Sequence, residues 1–308
     1  MKSEEKIHLA CIIVLAGGES MDWLFKLSTA IDYIEANLDS EISYDEVAKI
    51  ACCSTYYFQR MFTYIAGIPL SEYIRRRRMT QAAFELQRTD KRVLDIALKY
   101  GYNSPTSFNR AFQNIHGIAP AAAKNTGCNL NAYPPIKFTV NITGESAMSY
   151  HIEEKDAMRI VGIRTPLAED METNIMNLPN FWKQSLNTLQ FKQIRELSNR
   201  EPHGILGISV YHDPHNIFYF IAASTNAPVP EEMYEYEIPS ATWVIFENDG
   251  PFKESVQSIF HRFYTEWFPF SGYEYAGLPD IEVYSVVEGE PINGHSEVWI
   301  AIKKKKEN

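Results

Sequence analysis

The sequence predicts two domains: an all-α domain made of two helix-turn-helix units, followed by an α+β domain of two β-α-β-β repeats with an antiparallel sheet. Three observations carry that expectation. A fifteen-residue stretch occurs twice, 54 to 68 and 104 to 118. A nineteen-residue stretch of helical period, 70 to 88, lies between the copies. Beyond the second copy the apolar period changes to short alternating runs interrupted by two helical ones. The expected divisions are a poorly structured extension at 1 to 20, the helical domain at 21 to 126, a linker at 127 to 147 and the α+β domain at 148 to 308.

The first helix starts at Asp22, with Leu24, Leu27, Ile31, Ile34 and Leu38 in i+3, i+4 succession. Nothing before Met21 has a partner pattern, and Met21 is expected to be the native translation start. STYYFQRMFTYIAGI and SPTSFNRAFQNIHGI then share seven of fifteen positions, including Arg60 with Arg110 at a separation of fifty. A smaller match, Val47-Ala48 with Ile96-Ala97, is offset by forty-nine, so the second copy has one more residue in its turn. In each copy a serine (Ser54, Ser104) stands where an N-cap is wanted. Phenylalanines at i, i+4 (Phe58 and Phe62, Phe108 and Phe112) share a face, and a glycine (Gly67, Gly117) ends the helix where a left-handed residue is tolerated. Tyr56, Gln59 and Arg60, and Thr106, Asn109 and Arg110, are expected on the exposed side, the layout of a recognition helix. The connector Leu70 to Arg88 reads as one rod. Its length, about 28 Å at 1.5 Å per residue, suits two such helices in groove segments about 34 Å apart.

Gly127 to Gly144, with two consecutive prolines, reads as a linker. Strands are expected at Met158 to Pro166, Gly204 to Tyr211 and Ile217 to Ala222, with a helix at Leu178 to Leu197. The order repeats with a strand at Ala241 to Glu247, a helix at Lys253 to Trp267 and strands at Ile281 to Val287 and Glu297 to Ile302. In the last strand, alternation puts Val298, Ile300 and Ile302 on one face and Glu297, Trp299 and Ala301 on the other. The β-branched face should meet the helices; Glu297 beside Trp299 on the opposite face would supply a carboxylate and an aromatic wall for a lipophilic cation.

The net charge of -10 divides unevenly: 21 to 126 carries +2 and 127 to 308 carries -11. The acidity therefore does not argue against phosphate contact by the first half, where Arg75 to Arg78 forms a local basic cluster and Arg75 and Arg78 are candidate phosphate contacts. Four cysteines (Cys11, Cys52, Cys53, Cys128) lack metal-ligand spacing, which fits a reducing, cytoplasmic setting and core or turn roles. No run approaches the roughly 20 apolar residues of a transmembrane helix, and no export signal is read in Leu9 to Gly17. His212-Asp213-Pro214-His215 has a ligand-like spacing, but Asp-Pro marks a turn, and no metal or cofactor is expected.

Residues 22 to 125, and most specifically ALKYGYNSPTSFNRAFQNIHGIAP at 97 to 120, resemble the double helix-turn-helix domain of the AraC/XylS transcription regulators. The resemblance implies that Tyr56, Gln59 and Arg60 enter one major-groove segment of double-stranded DNA and Thr106, Asn109 and Arg110 the next. Arginine grips guanine, and Gln or Asn adenine, through paired hydrogen bonds. After Pro120 the chain departs from that pattern with Ala121-Ala122-Ala123-Lys124, which leaves no evident phosphate contact there. Residues 148 to 305 resemble the GyrI-like effector-binding domain through FENDGPF (246 to 252), EWFPFSGYEY (266 to 275), IEVYSVV (281 to 287) and SEVWIAI (296 to 302). That resemblance implies an effector site with Glu297 and Trp299, and Tyr284, Tyr211 and Trp182 as further lining. Together they imply a non-enzymatic, ligand-responsive transcription regulator that senses a small lipophilic cation, with RNA polymerase as a further partner and no membrane. The alternatives are a GyrI-like hydrolase that pairs Glu with Tyr for acid-base work, or a protein-binding inhibitory module.

Overall fold

In a computed structural model of the chain, residues 22–138, 147–211, 213, 216–285 and 293–305 are described. The proposed extension at 1 to 20, the Met21 start and His212 and His215 lie outside them. The chain divides into two compact units, Met1–Thr139 and Val140–Asn308.

The first unit is all helical: α1 (Asp22–Ala36), α2 (Tyr44–Ile50), α3 (Thr55–Ala66), α4 (Leu70–Arg88), α5 (Val93–Lys99) and α6 (Pro105–His116). The expected caps are present. Ser54 accepts from the Tyr57 N–H and Ser104 from the Ser107 N–H, while Gly67 and Gly117 end their helices at φ 70° and 75°. Both turns preceding the recognition helices close alike. The N–H groups of Cys52 and Cys53 reach Lys49 and Ala48 carbonyls, and those of Gly101 and Tyr102 reach Leu98 and Ala97. That is the two-bond termination in which the first residue of the pair is left-handed. Glycine fills that position in the second copy (φ 83°) and Cys52 in the first (φ 56°).

Helix α4 is the spine. It buries Tyr73, Arg77, Met79, Ala82, Ala83 and Leu86, and meets α3 at one end and α5 and α6 at the other. Its polar residues face inward with partners: the Tyr73 hydroxyl donates to Glu35 at 2.6 Å, and Arg77 forms an ion pair with the same carboxylate at 2.7 Å. Glu85 receives Lys91, Lys99 and the Tyr100 hydroxyl. The stretch read as a linker begins docked on this unit. The Tyr133 N–H donates to Thr80, the Ile136 N–H to the Tyr73 hydroxyl, and Arg77 to the Tyr133 carbonyl. Two prolines remove backbone donors without preventing the flanking ones from docking on α4.

The second unit is one nine-stranded antiparallel sheet: β1 (Tyr150–Lys155), β2 (Met158–Pro166), β3 (Ile205–Val210), β4 (Phe218–Ser224), β5 (Tyr234–Ile238), β6 (Ala241–Pro251), β7 (Tyr273–Tyr275), β8 (Asp280–Tyr284) and β9 (Asn293–Lys304). The order is β1-β6-β9-β8-β3-β4-β2-β5, with β7 continuing the β9 edge beyond β8. Each repeat supplies three adjacent strands, β2-β4-β3 and β6-β9-β8, and the β3·β8 ladder joins them. The expected helix at 178 to 197 is two: α7 (Met171–Ser185), capped by Asp170, and α8 (Leu189–Leu197), capped by Thr188, whose hydroxyl accepts the Phe191 N–H. The Thr188 cap starts a new helix inside what reads as one apolar stripe. Helix α9 (Phe252–Arg262) continues through a wider turn to Trp267. Strands β1 and β5 escape the sequence reading because YHIEEK and YEYEI are mostly polar edge strands with no buried alternation.

As expected, the face bearing Val298, Ile300 and Ile302 meets the helices: Phe246, opposite Val298, packs its ring on Phe263 and Trp267 at 6.0 and 5.8 Å. The opposite face holds a second core that includes Ile208, Phe220, Trp243, Ile281 and Trp299.

His116 supplies a pH test of the first unit. Its Nε2–H donates to the Met79 carbonyl at 3.1 Å, so Nδ1 accepts the Asn131 N–H at 3.2 Å and the ring must be neutral. Burial lowers its pKa below the usual 6.5, partly offset by the Met79 bond. A histidine lowered on folding contributes stability that is complete above the unfolded value and is lost as pH falls toward the folded one. Between about pH 7 and pH 5 the melting temperature of the native chain should therefore fall more steeply than that of His116→Gln; parallel slopes would exclude the neutral-ring account.

Candidate functional site

The two recognition helices share a sequence but not an environment. On α6 burial is one-sided: Phe108, Phe112 and Ile115 are buried, whereas Thr106, Asn109 and Arg110 are exposed as expected. Among the described residues Arg110 has no ion-pair partner; Asp95, which could have held it, is taken by Arg92 at 2.8 Å. On α3 all seven residues from Tyr56 to Phe62 are buried, with Gln59 and Arg60 each at 3% exposure. Successive helical residues turn by about 100°, so seven in a row can be buried only if the helix is enclosed all round. The expected exposure of Tyr56, Gln59 and Arg60 is therefore wrong for this structure. Arg60 lies 5.3 Å from the Tyr64 ring centroid. The two copies differ in composition at matched positions: Tyr56, Tyr57 and Met61 stand where the second has Thr106, Ser107 and Ala111. Those three larger side chains give α3 an apolar surface beyond the shared Phe stripe.

The arginine run is also divided, because four successive helical residues point in four directions. Arg75 pairs with Glu72 and is partly exposed, and Arg77 is buried on Glu35. Arg78 is structural: it donates to the Leu38 and Ser40 carbonyls at 2.9 and 2.7 Å, and a Cβ on Gly101 would come within 3.1 Å of its guanidinium. Of the two expected phosphate contacts, Arg75 keeps a solvent-facing side chain and Arg78 has donors committed to the fold.

In the second unit, strand parity separates the five expected effector residues into two groups. Glu297 and Trp299 lie on the face away from the helices. The Trp299 indole N–H donates to Glu297 at 2.6 Å, its ring packs on Trp243 at 6.1 Å, and the cation near that ring is the chain's own Lys155 at 5.6 Å. Trp299 is only 4% exposed, so this wall is part of a filled core. Glu297 also faces His295 at 3.6 Å; burial lowers the His295 pKa, but Asp249 and Glu297 outweigh it and hold it raised.

Trp182, Tyr284 and Tyr211 are on the helix face, where the sequence reading missed the residues that organise them. Glu282 sits at the middle of the sheet, opposite Gly207 on β3 and Val298 on β9. Its Oε2 accepts the Tyr219 hydroxyl at 2.9 Å and the Tyr284 hydroxyl at 2.8 Å, and Tyr219 in turn accepts the Trp182 indole N–H at 3.0 Å. Trp182, from α7, meets the Tyr284 ring edge-on at 5.4 Å, and Phe252, which opens α9, meets it at 5.1 Å. Gly207 is required here, since a Cβ would overlap the Tyr219 hydroxyl and approach Glu282 Oε2 to 2.9 Å. The result is a half-buried carboxylate with two phenols on it and an indole and a phenyl ring beside it. Tyr211 belongs to a neighbouring group, donating to Asp280 at 2.7 Å with Tyr275 alongside; Asp280 is 1% exposed. The signal that could have found Glu282 is the isolated Gly207 inside an apolar strand, which marks a close approach.

Chemically, the Glu282 group can hold a positive charge against aromatic edges and faces. Among the described residues no cluster of His, Cys, Asp and Glu is suited to a metal ion, and no helix is long and apolar enough to cross a membrane.

Comparison with known proteins agrees with this division. Residues 47–126 match the family described as a helix-turn-helix domain, and 148–303 match the GyrI-like small molecule binding domain. The HTH-type transcriptional activator AarP of Providencia stuartii is 43% identical over 105 residues, 33% of this chain and 78% of that protein. The regulatory protein SoxS of Salmonella typhimurium is 40% identical over 95 residues, 31% of this chain and 89% of that protein. Among solved structures, a bacterial transcription regulation protein from Staphylococcus aureus MU50 is similar at 18% identity and a TM-score of 0.44, covering 51% of this chain and 99% of that one. The chain belongs to the AraC-type helix-turn-helix transcription regulators and carries a C-terminal GyrI-like small-molecule-binding domain.

Proposed function

We propose that this DNA-binding regulator senses a lipophilic cation at Glu282 and reads its operator first through α6. The observation that carries the effector half is the Tyr219–Glu282–Tyr284 group, flanked by Trp182 and Phe252. Aromatic surface would hold the body of the ligand and the carboxylate its charge, the division of labour that selects cations by type without fixing one shape. Glu297, whose carboxylate is engaged by Trp299 and faces His295, gives no comparable support.

On the DNA side, Thr106, Asn109 and Arg110 are exposed on one face of a capped helix and are the residues proposed to read bases. Tyr56, Gln59 and Arg60 are the matched set. Their enclosure means α3 must be uncovered before it can enter a groove, and Arg75 supports binding as a phosphate contact. RNA polymerase is the partner through which operator occupancy would be read out. The rival hydrolase would have to use the same Glu282 and its phenols, and would be recognised by turnover of the bound compound.

Two measurements test these assignments. Glu282→Gln should weaken tetraphenylphosphonium binding at least tenfold while changing a neutral probe, triphenylphosphine oxide, by less than about twofold, a differential of roughly 1 kcal/mol or more; Glu297→Gln should leave both nearly unchanged. Equal losses for the two probes would remove charge recognition at Glu282. For DNA, Arg110→Ala should cost about 1 to 3 kcal/mol on a selected duplex with little change in melting temperature. An unaltered affinity and footprint would take Arg110 out of the interface.

A further inference from the structure

The two helix-turn-helix copies build the same turn from different residues, and the difference is chemical. In the second copy the left-handed position is Gly101, followed by Tyr102; in the first it is Cys52, at φ 56°, followed by Cys53. A side chain with a Cβ is disfavoured at positive φ, and glycine is the residue that avoids the clash. Such an outlier invites a functional explanation more than a packing one. Packing offers none here: Cys52 is exposed, and among the described residues its Sγ meets the Ile50 carbonyl at 3.9 Å. Cys53 is half-buried, and burial, with the charge of Cys52 adding to it, pushes its pKa up to about 12.

We propose that Cys52 and Cys53 form a dithiol site for a soft, thiol-seeking trivalent electrophile of the arsenical class, and that its occupation reshapes the turn entering α3. Two adjacent thiols can both bond one such centre, and soft thiolate ligands are what these elements prefer. The step balances without an oxidant. Each S–H gives up its proton, two arsenic–sulfur bonds form, the arsenic-bound oxygen leaves as water, and arsenic stays trivalent.

Coupling to the fold follows from geometry. Cys52 is exposed and Cys53 half-buried, so an atom bonded to both sulfurs would draw the Cys53 thiol toward the exposed side. Cys53 also closes α2 through its N–H on Ala48, and Ser54, the N-cap of α3, comes next. Chelation therefore favours a turn other than the one seen, and a ligand that binds two conformations unequally shifts the balance between them. The effect would fall on the recognition helix that is enclosed in this structure.

The test uses the full chain with Cys11→Ser and Cys128→Ser, which leaves the pair as the sole thiols, and phenylarsine oxide as the probe. Intact mass should show one bridged adduct that survives excess glutathione and is removed by dithiothreitol. Amide exchange in the peptide spanning 44 to 62 should accelerate at least tenfold on binding. Adding Cys52→Gly, the residue the second copy already has, should preserve folding and ordinary amide protection yet abolish the glutathione-resistant adduct. Failure of the bridged adduct to form, its persistence in the Cys52→Gly chain, or full occupancy with unchanged exchange would each overturn the proposal.

Discussion

The antiparallel ladder between β3 and β8 is the constraint on which the second unit depends. Among the described residues it is the sole pairing between the two β-α-β-β repeats in the sheet path, and it sets Gly207 directly opposite Glu282. Side chains alternate across a strand, so this register, carried outward by the β3·β4 and β8·β9 ladders, places Glu282, Tyr284 and Tyr219 on the helix face while Trp299 and Val283 face the other core. A slip of one residue would exchange the two sets. The missing side chain of Gly207 then lets Tyr219 reach the carboxylate, and the helices that begin and end near the join supply Phe252 and Trp182. The candidate effector group is thus a product of where the repeats meet, rather than of either repeat.

The first unit has a comparable dependence on α4. Buried polar groups are costly unless paired, and α4 carries four in its interior-facing surface, each answered by a partner: Tyr73 and Arg77 by Glu35, Thr80 by the Arg76 carbonyl and the Tyr133 N–H, Glu85 by Lys91, Lys99 and Tyr100. These fix α1 and α5 to the spine and so fix the recognition helices that follow. Removal of one partner would leave a buried charge unanswered, which is far more disruptive than loss of an exposed pair. The spine is therefore held on both sides, and DNA access turns on the environment of α3.

Much of this was legible from the residues. The repeated Ser, Phe, Phe and Gly positions specify cap, core stripe and helix end in both copies, and the alternation of Val298, Ile300 and Ile302 identifies the face that meets helices. What period cannot supply is register between strands distant in sequence, and the site lies in that gap. Glu297 beside Trp299 is adjacent in one strand and visible at once; Glu282, Tyr219 and Trp182 come from three elements and converge only through pairing. The enclosure of α3 was obscured for a related reason. Tyr56, Tyr57 and Met61 have both apolar bodies and room for exposure, and sequence period does not say which will prevail.

Indole fluorescence tests most directly whether the effector is read on the helix face of the sheet. Trp182 stands at the Glu282 group and Trp299 in the opposite core, so titration with tetraphenylphosphonium should quench emission in the native chain and in Trp299→Phe, and lose most of that response in Trp182→Phe. The reverse pattern, with the response kept by Trp182→Phe and lost by Trp299→Phe, would contradict it and place the ligand beside Glu297.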